Sequence, residues 1–342
     1  MIKTINKQRN CSIDIFRYLC SIMVVIIHTN PLTEINYVLS YILVTIFPRI
    51  AVPFFFAVAG YFYIQKLENG KRPFSPYIKR LLLTYGIWSL VYITLDFVQW
   101  GHAEHENFIK DVLWGIFLKG TYYHFWFFPA LIIAVCITTF LFKIKCKKLL
   151  VPLGLICYVL GTLCSSYYQA VENIPILGDF IKTISPLSDI FFYGFPFFIS
   201  GYLVFILKDK IFEKLSVKFS IAILLCSVCI WLTEIFLIVK LNLHRNILLS
   251  FTFYPLVMVV LLTLLRFPLS KYDKTAGLCK TLANFTYYSH PLFITCIMNS
   301  LKRIFEFEIA QTPLFIATVC ITLLFGIIIH KINNKYLNVL VN

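Results

Sequence analysis

The sequence predicts an all-α, polytopic integral membrane protein with about ten transmembrane helices, each near the length that a bilayer requires. Of its 342 residues, 59% are hydrophobic and only 14% are charged, whereas about 25% of the residues of a typical soluble domain are charged. The mean hydropathy is +0.81. The apolar residues also fall in long blocks separated by short polar connections. Together these observations exclude an ordinary soluble protein.

The limits of each predicted span follow from the polar and basic residues that end each apolar block. The predicted spans cover residues 12–30, 46–65, 79–100, 122–143, 148–165, 187–207, 218–240, 246–266, 280–300 and 312–331. Residues 31–45 are predicted to form an extracellular re-entrant or interfacial helix, and residues 101–121 a polar outer loop. The whole chain, 1–342, is interpreted as a single transmembrane domain.

The basic residues predict the orientation of these spans. The net charge of +15 would suit a nucleic-acid-binding protein if it formed one patch. Instead, most of the 31 Lys and Arg residues lie at the two ends and in every second connection. Positively charged residues stay on the cytoplasmic side of a membrane. Both termini are therefore predicted to be cytoplasmic, and the expected partner is the lipid bilayer rather than a nucleic acid.

Metal binding is not expected. The eleven cysteines are scattered, mostly within the predicted spans. Cys226 and Cys229 form a C-x-x-C pair in the middle of a span, but there is no second pair at the spacing of a zinc site. The outer loop contains two histidines and two acids within His102–Glu106. Nothing in that stretch fixes the geometry of a metal site, so a solvated loop is the preferred interpretation.

The first span contains three ionisable residues, Asp14, Arg17 and His28. Such residues are costly in a bilayer and usually have a partner or a function. Helical periodicity places Arg17 and His28 on nearly the same face, about 16 Å apart along the axis, and Asp14 can pair with Arg17. His28 can exchange a proton near neutral pH, and Arg17 suits phosphates or carboxylates. The alternative is a snorkelling arginine and a histidine that only bonds a neighbouring helix.

Other polar and aromatic residues in or beside the spans are candidates for contacting a substrate. They are Arg49, Tyr123, His124, Trp126, Glu234 and His290. The aromatic stretch Tyr122–Pro129 is typical of a membrane-interface belt, and alternatively could form an aromatic floor for a sugar-like or amino-acid acceptor. Glu234 and His290 are either substrate-binding residues or packed polar residues with a partner.

Several segments resemble the acyltransferase-3 family of membrane O-acyltransferases. The matching segments, in chain order, are Asp14…Arg17…His28, Arg49–Phe62, His124–Phe127, Phe191–Tyr202 and Ser289–Pro291. The likeness covers essentially the whole chain. The family resemblance implies transfer of an acyl group, usually acetyl from cytoplasmic acetyl-CoA, to a hydroxyl of an extracytoplasmic cell-wall or other glycan.

The resemblance also implies roles for individual residues. His28 would be the catalytic base, and Asp14 is a second candidate catalytic residue. Arg17 would help to bind CoA. In many members an R-x-x-R pair at the inner start of the third span supports CoA binding. Here Lys79 and Arg80 supply basic groups at that place. A tyrosine or tryptophan of the aromatic stretch, Tyr123 or Trp126, is a candidate oxyanion donor.

A closer likeness within the family implies a second function. Phe47–Tyr61 and Tyr123–Ile132 are similar to the membrane part of the serine racemases of vancomycin-resistant Gram-positive bacteria. In those proteins a pyridoxal-phosphate racemase domain follows the membrane part. Because this chain ends at Asn342, just after the last predicted span, no racemase domain and no pyridoxal phosphate are expected in it. A fused or separate racemase is an implied partner.

In the racemase-linked branch, the membrane part is assigned to L-serine uptake in vancomycin resistance. Arg17 or Arg49 would then hold the serine carboxylate and Glu234 its ammonium group. Leu83 replaces the second arginine of the family's R-x-x-R pair, which favours this alternative. The lack of a visible internal repeat, common in transporters, disfavours it. A third alternative, a plain membrane anchor, is disfavoured by the polar face of the first span.

Overall fold

A computed structural model of the chain describes residues 10–100, 115–306, 308–334 and 337–341. The described residues form helices and turns, and no strand occurs among them. Residues 101–114 of the predicted outer loop, with its two histidines and two acids, lie outside the described residues. The all-α prediction is therefore confirmed for the part of the chain that the structure describes.

The helices follow one another along the chain with short connections. They are α1 Cys11–Thr29, α2 Tyr37–Thr45, α3 Ala51–Glu68, α4 Phe74–Trp100, α5 Phe127–Lys143, α6 Leu150–Cys164, α7 Tyr168–Val171, α8 Leu177–Ile184, α9 Phe195–Lys214, α10 Val217–Lys240, α11 Phe253–Arg266, α12 Asp273–Phe305 and α13 Gln311–Ile332. Each predicted span overlaps one of the longer helices.

The chain is a multi-pass α-helical membrane protein. Among the described residues, seven helical stretches are long and apolar enough to cross a membrane. An eighth span results if α11 and the helix after it form one broken span. Helix α5 is apolar but has only 17 residues. The count of ten spans and the cytoplasmic position of both termini stay predictions.

The residues form two compact units. The first unit contains Met1–Ala51 and Leu264–Asn342, and the second contains Val52–Thr263. Helices α1, α2, α12 and α13 thus belong to the first unit, and α3 to α10 with most of α11 to the second. The single domain proposed from the sequence stays a prediction, because a division into compact units does not decide whether each unit folds alone.

Helix α1 is anchored at its start within the first unit. The Asn10 side chain caps the helix by accepting a hydrogen bond from the Ile13 amide at 3.2 Å, as expected for asparagine at this position. The Asn10 amide group also donates to the Leu264 carbonyl at 3.2 Å. The Cys11 amide donates to the Pro268 carbonyl at 2.9 Å. These bonds tie the entry of α1 to the segment that precedes α12.

The connection between α1 and α2 caps the last helix, α13. The Glu34 carboxylate accepts a hydrogen bond from the Thr312 amide at 2.8 Å, and the Thr312 hydroxyl accepts one from the Leu32 amide at 2.8 Å. The residue at the cap position itself, Ala310, has no side-chain oxygen to offer. Glu34 therefore satisfies one of the orphan amides at the start of α13. The amides of Glu34 itself and of Thr312 hold the pKa of this carboxyl below its usual range.

Two helices of the second unit approach each other very closely. A Cβ atom added at Gly60 of α3 would lie 1.9 Å from the Phe198 carbonyl oxygen, and one added at Gly201 of α9 would lie 2.1 Å from the Ala57 carbonyl oxygen. Small residues commonly allow such backbone contact between membrane helices. The α3–α9 contact therefore depends on glycine at both positions.

Candidate functional site

Arg17 and Asp14 lie together on α1, as their spacing predicted. Arg17 Nη1 is 3.7 Å from Asp14 Oδ1, and Arg17 Nη2 donates to Asn284 Oδ1 of α12 at 2.8 Å. The Asn284 amide group in turn donates to the Val341 carbonyl at 2.7 Å. A chain of polar contacts thus runs from α1 through α12 to the C-terminal turn Leu337–Val341. The predicted Asp14–Arg17 pair is confirmed.

Arg17, Asp14 and Asn284 form a group that we call the arginine cluster. A polar cavity adjoins it. Its volume is about 250 Å³, and its lining includes Lys280, Thr281, His330 and Val341. Val341 connects the cavity to the arginine cluster, because its carbonyl also accepts the hydrogen bond from the Asn284 side chain. The Thr281 hydroxyl lies 3.1 Å from His330 Nδ1. The cavity thus combines a lysine, a histidine and a hydroxyl.

Sequence reasoning missed this cavity. In the sequence, Lys280 is only one of many basic residues that predict the cytoplasmic side. Thr281, His330 and Asn284 were not among the candidate site residues. Lys280, Thr281 and Asn284 lie on α12 and His330 lies on α13, and these two helices meet only in the folded chain. The one available signal was the position of Lys280, His330 and Arg17 near the predicted cytoplasmic ends of their spans.

The structure brings together two candidate residues that lie far apart in the sequence, His28 and His290. Their rings stack with centroids 5.2 Å apart and planes inclined by 27°. His290 is fully buried, with 0% of its surface exposed, and His28 is partly exposed. Two imidazole rings from neighbouring helices thus form the second polar centre of the first unit.

The ring of His290 is held in a defined orientation. Its Nδ1 lies 3.0 Å from the Thr286 carbonyl oxygen and 2.9 Å from the Tyr287 carbonyl oxygen. Because both partners are acceptors, Nδ1 must carry a proton. In a neutral ring the other nitrogen, Nε2, is then the unprotonated one, so it acts as a hydrogen-bond acceptor.

Pro291, inside α12, explains why the Tyr287 carbonyl is available to His290. In a regular helix this carbonyl would accept the amide proton of residue 291, four positions later. Proline has no amide proton, so it leaves such a carbonyl without its helical partner. The His290 side chain takes that place. The Ser289-His290-Pro291 sequence is thereby a local device that fixes the ring.

The two polar centres lie at different levels of α1. Arg17 and His28 are separated by about 16 Å along the helix axis, and Asp14 and His28 by about 21 Å. Asp14 therefore belongs to the arginine cluster, and the structure does not bring it to His28. Helices α1 and α12 run in the same direction, because Arg17 meets Asn284 and the later His28 meets the later His290.

Arg49, proposed as a substrate residue, also belongs to the first unit. It lies in the short helical turn Phe47–Ile50. Its Nε donates a hydrogen bond to the Thr45 carbonyl, which is the last residue of α2. Arginine near the end of a helix stabilises the exposed carbonyls there. This contact gives Arg49 a structural role at the end of α2, and its proposed contact with substrate stays a prediction.

The aromatic candidates lie in the second unit, at the start of α5. His124 is buried, with 3% of its surface exposed, and its ring lies 4.0 Å from that of Phe125 and 5.2 Å from that of Tyr92. Trp126 packs 5.4 Å from Tyr193, while Tyr123 remains 52% exposed. The cluster is compatible with both alternatives, an interfacial belt and a floor for an acceptor.

Glu234 is engaged within the second unit. Its carboxylate accepts hydrogen bonds from the Tyr167 hydroxyl at 2.8 Å, the Phe251 amide at 2.7 Å and the Thr252 amide at 2.8 Å. The Thr252 hydroxyl is a fourth donor. Glu234 thereby holds the segment that leads into α11. The contacts favour the alternative of a packed polar residue over a substrate ligand.

The basic residues proposed to bind CoA with Arg17 are on α4, in the second unit. Lys79 and Arg80 are both exposed, and the Arg80 guanidinium lies 5.3 Å from the centre of the Tyr77 ring. Leu83, at the position of the missing arginine, is 53% exposed. Their CoA-binding role stays a prediction.

A multi-pass membrane protein with an arginine cluster and a histidine pair on two adjacent helices is the class that this fold and site define. The family model described as "Acyltransferase domain" matches residues 10–331. The chain therefore belongs to the acyltransferase-3 family. No solved structure matches it.

The chain is also similar to curated bacterial racemases. It is 32% identical over 196 residues to an "Amino-acid racemase" of Enterococcus faecalis, which covers 56% of this chain and 27% of the relative. It is 30% identical over 184 residues to a "Serine/alanine racemase" of Enterococcus gallinarum, covering 49% of this chain and 25% of the relative. The matched part is thus about a quarter of these relatives. The family and the helices define a bacterial multi-pass membrane protein.

Proposed function

We propose that this protein transfers an acyl group, in the first instance acetyl, from cytoplasmic acyl-CoA to a hydroxyl of an extracytoplasmic cell-wall or glycan acceptor. The observation that carries this proposal is the stacked pair of His28 and His290, with centroids 5.2 Å apart. Membership of the acyltransferase family supports the reaction class. The arginine cluster on the same helix supports an anionic donor.

The proposed reaction uses His28 as a base. His28 accepts the proton of the acceptor hydroxyl, and the hydroxyl oxygen attacks the carbonyl carbon of the thioester. The carbon–sulfur bond then breaks, and the thiolate of CoA takes the proton from His28. Base catalysis of this kind contributes about 10²–10⁴-fold in rate.

His290 acts in this scheme as a positioning residue. Its Nδ1 is committed to two carbonyls, which fixes the plane of the ring against which His28 stacks. Two positively charged rings at 5.2 Å would repel each other strongly where water is scarce. The pair is therefore suited to handling one proton at a time.

The donor would bind at the other end of α1. Arg17 offers a planar set of donors suited to phosphate, and Asp14 and Asn284 hold that group in place. The adjoining cavity of about 250 Å³ contributes Lys280. Because complete ligand pockets measure about 300–1,000 Å³, this cavity suits a phosphate-bearing part of CoA. The flexible pantetheine arm would cover the remaining distance of about 16 Å to His28.

The base assignment is tested with His28→Ala and His290→Ala in purified membranes supplied with radiolabelled acetyl-CoA. The measured quantity is base-labile acetyl transferred to cell-wall material. We expect His28→Ala to lose at least about 100-fold in rate. His244→Ala, a histidine of the second unit, is the matched control and should keep full activity. Undiminished transfer by His28→Ala would refute the role of His28.

The donor site is tested by acetyl-CoA binding to the protein in nanodiscs. Asn284→Leu removes the amide that holds Arg17, and Arg17→Gln removes the charge. Loss of a charge-assisted contact is worth about 1.5–3 kcal/mol, so Arg17→Gln should raise the Kd about tenfold or more, and Asn284→Leu by a smaller factor. Arg80→Ala tests the basic residues of the second unit. An unchanged Kd in Arg17→Gln would contradict the donor site.

L-Serine binding or uptake is the second candidate function, and the similarity to the amino-acid and serine/alanine racemases favours it. In that scheme Arg17 or Arg49 binds the carboxylate, Glu234 binds the ammonium group, and a racemase uses the serine. The four donors on Glu234 weigh against it. Serine binding without acetyl-CoA binding would favour this second function over acyl transfer.

A further inference from the structure

A second polar cavity lies in the second unit, around Arg245, and we call it the Arg245 cavity. Its volume is about 170 Å³, and its polar lining residues are Ser165, Ser185, Tyr193, Arg245 and Asn246. They come from the ends of α6 and α8, the turn before α9, and the connection between α10 and α11. The predicted topology places the end of α6, the end of α8 and the connection between α10 and α11 outside the cytoplasm.

The backbone around Arg245 is held in place by several hydrogen bonds. The Arg245 amide donates to the Ser165 carbonyl at 3.0 Å, and the Gln169 amide donates to the Leu243 carbonyl at 3.0 Å. At the other end of the connection, Glu234 holds the amides of residues 251 and 252. A connection fixed at both ends presents Arg245 in a defined position rather than on a free loop.

The Arg245 side chain is oriented as well. Its Nη1 donates to the Ser185 hydroxyl at 2.9 Å, and its guanidinium lies 5.3 Å from the centre of the Tyr168 ring. A guanidinium has five N–H donors arranged as a fork, so one bond to Ser185 leaves most of them for another acceptor. Arginine held on an aromatic ring is well suited to bind a carboxylate with two parallel bonds.

The chemistry of the lining selects the kind of ligand. Among the described residues, no acidic side chain lines the Arg245 cavity. Within the described lining, a zwitterion such as an amino acid would find a partner for its carboxylate, whereas no carboxylate faces its ammonium group. The hydroxyl and amide groups of Ser185, Tyr193 and Asn246 instead match the hydroxyls of a sugar.

We propose that the Arg245 cavity binds the carboxylate of an acidic sugar, or of a similarly small carboxylate-bearing group on a larger glycan, at the extracytoplasmic side. A volume of about 170 Å³ is close to the roughly 150 Å³ of a cavity that holds one benzene molecule, so the cavity holds one small unit rather than an oligosaccharide. This binding does not depend on acyl transfer, since every residue involved lies outside the histidine pair and the arginine cluster.

The test compares glucuronate with glucose, which differ in the carboxylate, by titration calorimetry on the protein in nanodiscs. We expect saturable binding of glucuronate and at least tenfold weaker binding of glucose. Arg245→Ala should raise the glucuronate Kd about tenfold or more, as expected for a lost charge-assisted contact. Arg245→Lys, which keeps the charge without the fork, should lie between the wild type and Arg245→Ala.

Two further variants separate binding from folding. Ser185→Ala removes the bond that orients Arg245 but keeps the cation, and should weaken glucuronate binding less than Arg245→Ala does. His28→Ala should bind glucuronate like the wild type, even if it loses acyl transfer. The proposal is overturned if glucose binds as tightly as glucuronate, if glucuronate does not saturate, or if folded Arg245→Lys and Arg245→Ala both keep the wild-type Kd. L-Serine binding at this cavity as tight as that of glucuronate would overturn the selectivity for acidic sugars.

Discussion

The two compact units use their ionisable residues in different ways. In the first unit, His290 is oriented by two backbone carbonyls and keeps one nitrogen as an acceptor beside His28. In the second unit, Glu234 receives four hydrogen-bond donors and ties a connecting segment to α10. Both residues are polar groups within apolar helices, and sequence reasoning treated them alike.

Both residues have internal hydrogen-bond partners, which offset the cost of a polar group in a membrane helix. The two cases differ in the chemistry of the side chain. A neutral imidazole has one unprotonated nitrogen, at which it can take up a proton, whereas a carboxylate that accepts four hydrogen bonds mainly stabilises the fold.

The largest effect is expected at the α3–α9 contact, where the second unit has no spare room. Gly201→Val would place side-chain atoms against the Ala57 carbonyl, since even a Cβ would lie 2.1 Å from its oxygen. Overpacking commonly lowers the free energy of unfolding by about 1–3 kcal/mol. We expect a loss near the upper end of this range, because the obstructing group is backbone and cannot change its rotamer. The measurement is thermal unfolding in detergent.

The matched control for this variant is Gly86→Val, a helical glycine whose added Cβ meets no atom within 4 Å. It should shift the unfolding temperature far less than Gly201→Val does. Equal shifts in the two variants would mean that valine's helix propensity, rather than the close contact, sets the effect.

An intermediate effect is expected at Glu234. In Glu234→Gln an amide group faces the amide and hydroxyl of Thr252, so acceptor positions are replaced by donors. Loss of hydrogen bonds to a charged group should lower the free energy of unfolding by about 2–3 kcal/mol. Glu213→Gln, at an exposed position of α9, is the control. A stable Glu234→Gln protein that no longer binds L-serine would reverse the comparison and make Glu234 a ligand.

A smaller effect, on activity rather than stability, is expected at Pro291. Pro291→Ala restores an amide that competes with His290 for the Tyr287 carbonyl, while the bond to Thr286 remains. We expect up to about tenfold slower acyl transfer and a changed pH profile, consistent with the net worth of one hydrogen bond. Thermal stability should be kept or increased, because proline destabilises a helix interior.

Pro313→Ala serves as the control for Pro291→Ala. Pro313 lies in the first turn of α13, where a backbone amide has no helical partner to regain. If both variants keep the wild-type rate and pH profile, the proposed role of Pro291 in orienting His290 is wrong.

The smallest effect is expected at Glu34, which has a purely structural role in the first unit. Hydrogen bonds to amides hold its pKa below the usual range, so its contribution to stability is present above the unfolded-state value of about 4.3. It is lost as the pH falls through the lower folded-state pKa. The difference in unfolding temperature between wild type and Glu34→Gln should therefore shrink on acidification. A difference that does not change with pH would exclude this linkage.

Much of the site could be predicted residue by residue, but not as a set of contacts. Asp14 and Arg17 are three positions apart on one helix, so their pairing follows from local geometry. His28 and His290 were both candidates because polar residues are rare in apolar spans. Their stacking was not predictable, since nothing local relates two residues separated by some 260 positions in a chain of 342.

The boundaries of α9 show a second limit. The sequence predicted a span over residues 187–207, while the α-helix covers Phe195–Lys214 and is preceded by a wider helical turn at Ser188–Gly194. Hydropathy marks apolar residues but does not distinguish a regular helix from such a turn. The aromatic run Phe191–Phe198 is apolar in both conformations, so packing in the second unit sets the boundary.

The sequence by itself determined that this protein is helical, lies in a membrane and has ionisable residues on one face of its first helix. Those properties follow from composition and helical periodicity, which act over one or two turns. Only the tertiary structure decided which polar residues have partners: His28 with His290, Arg17 with Asn284, and Glu234 with Thr252. The reason is physical, since each pair joins different segments, and the packing of whole helices determines which side chains meet.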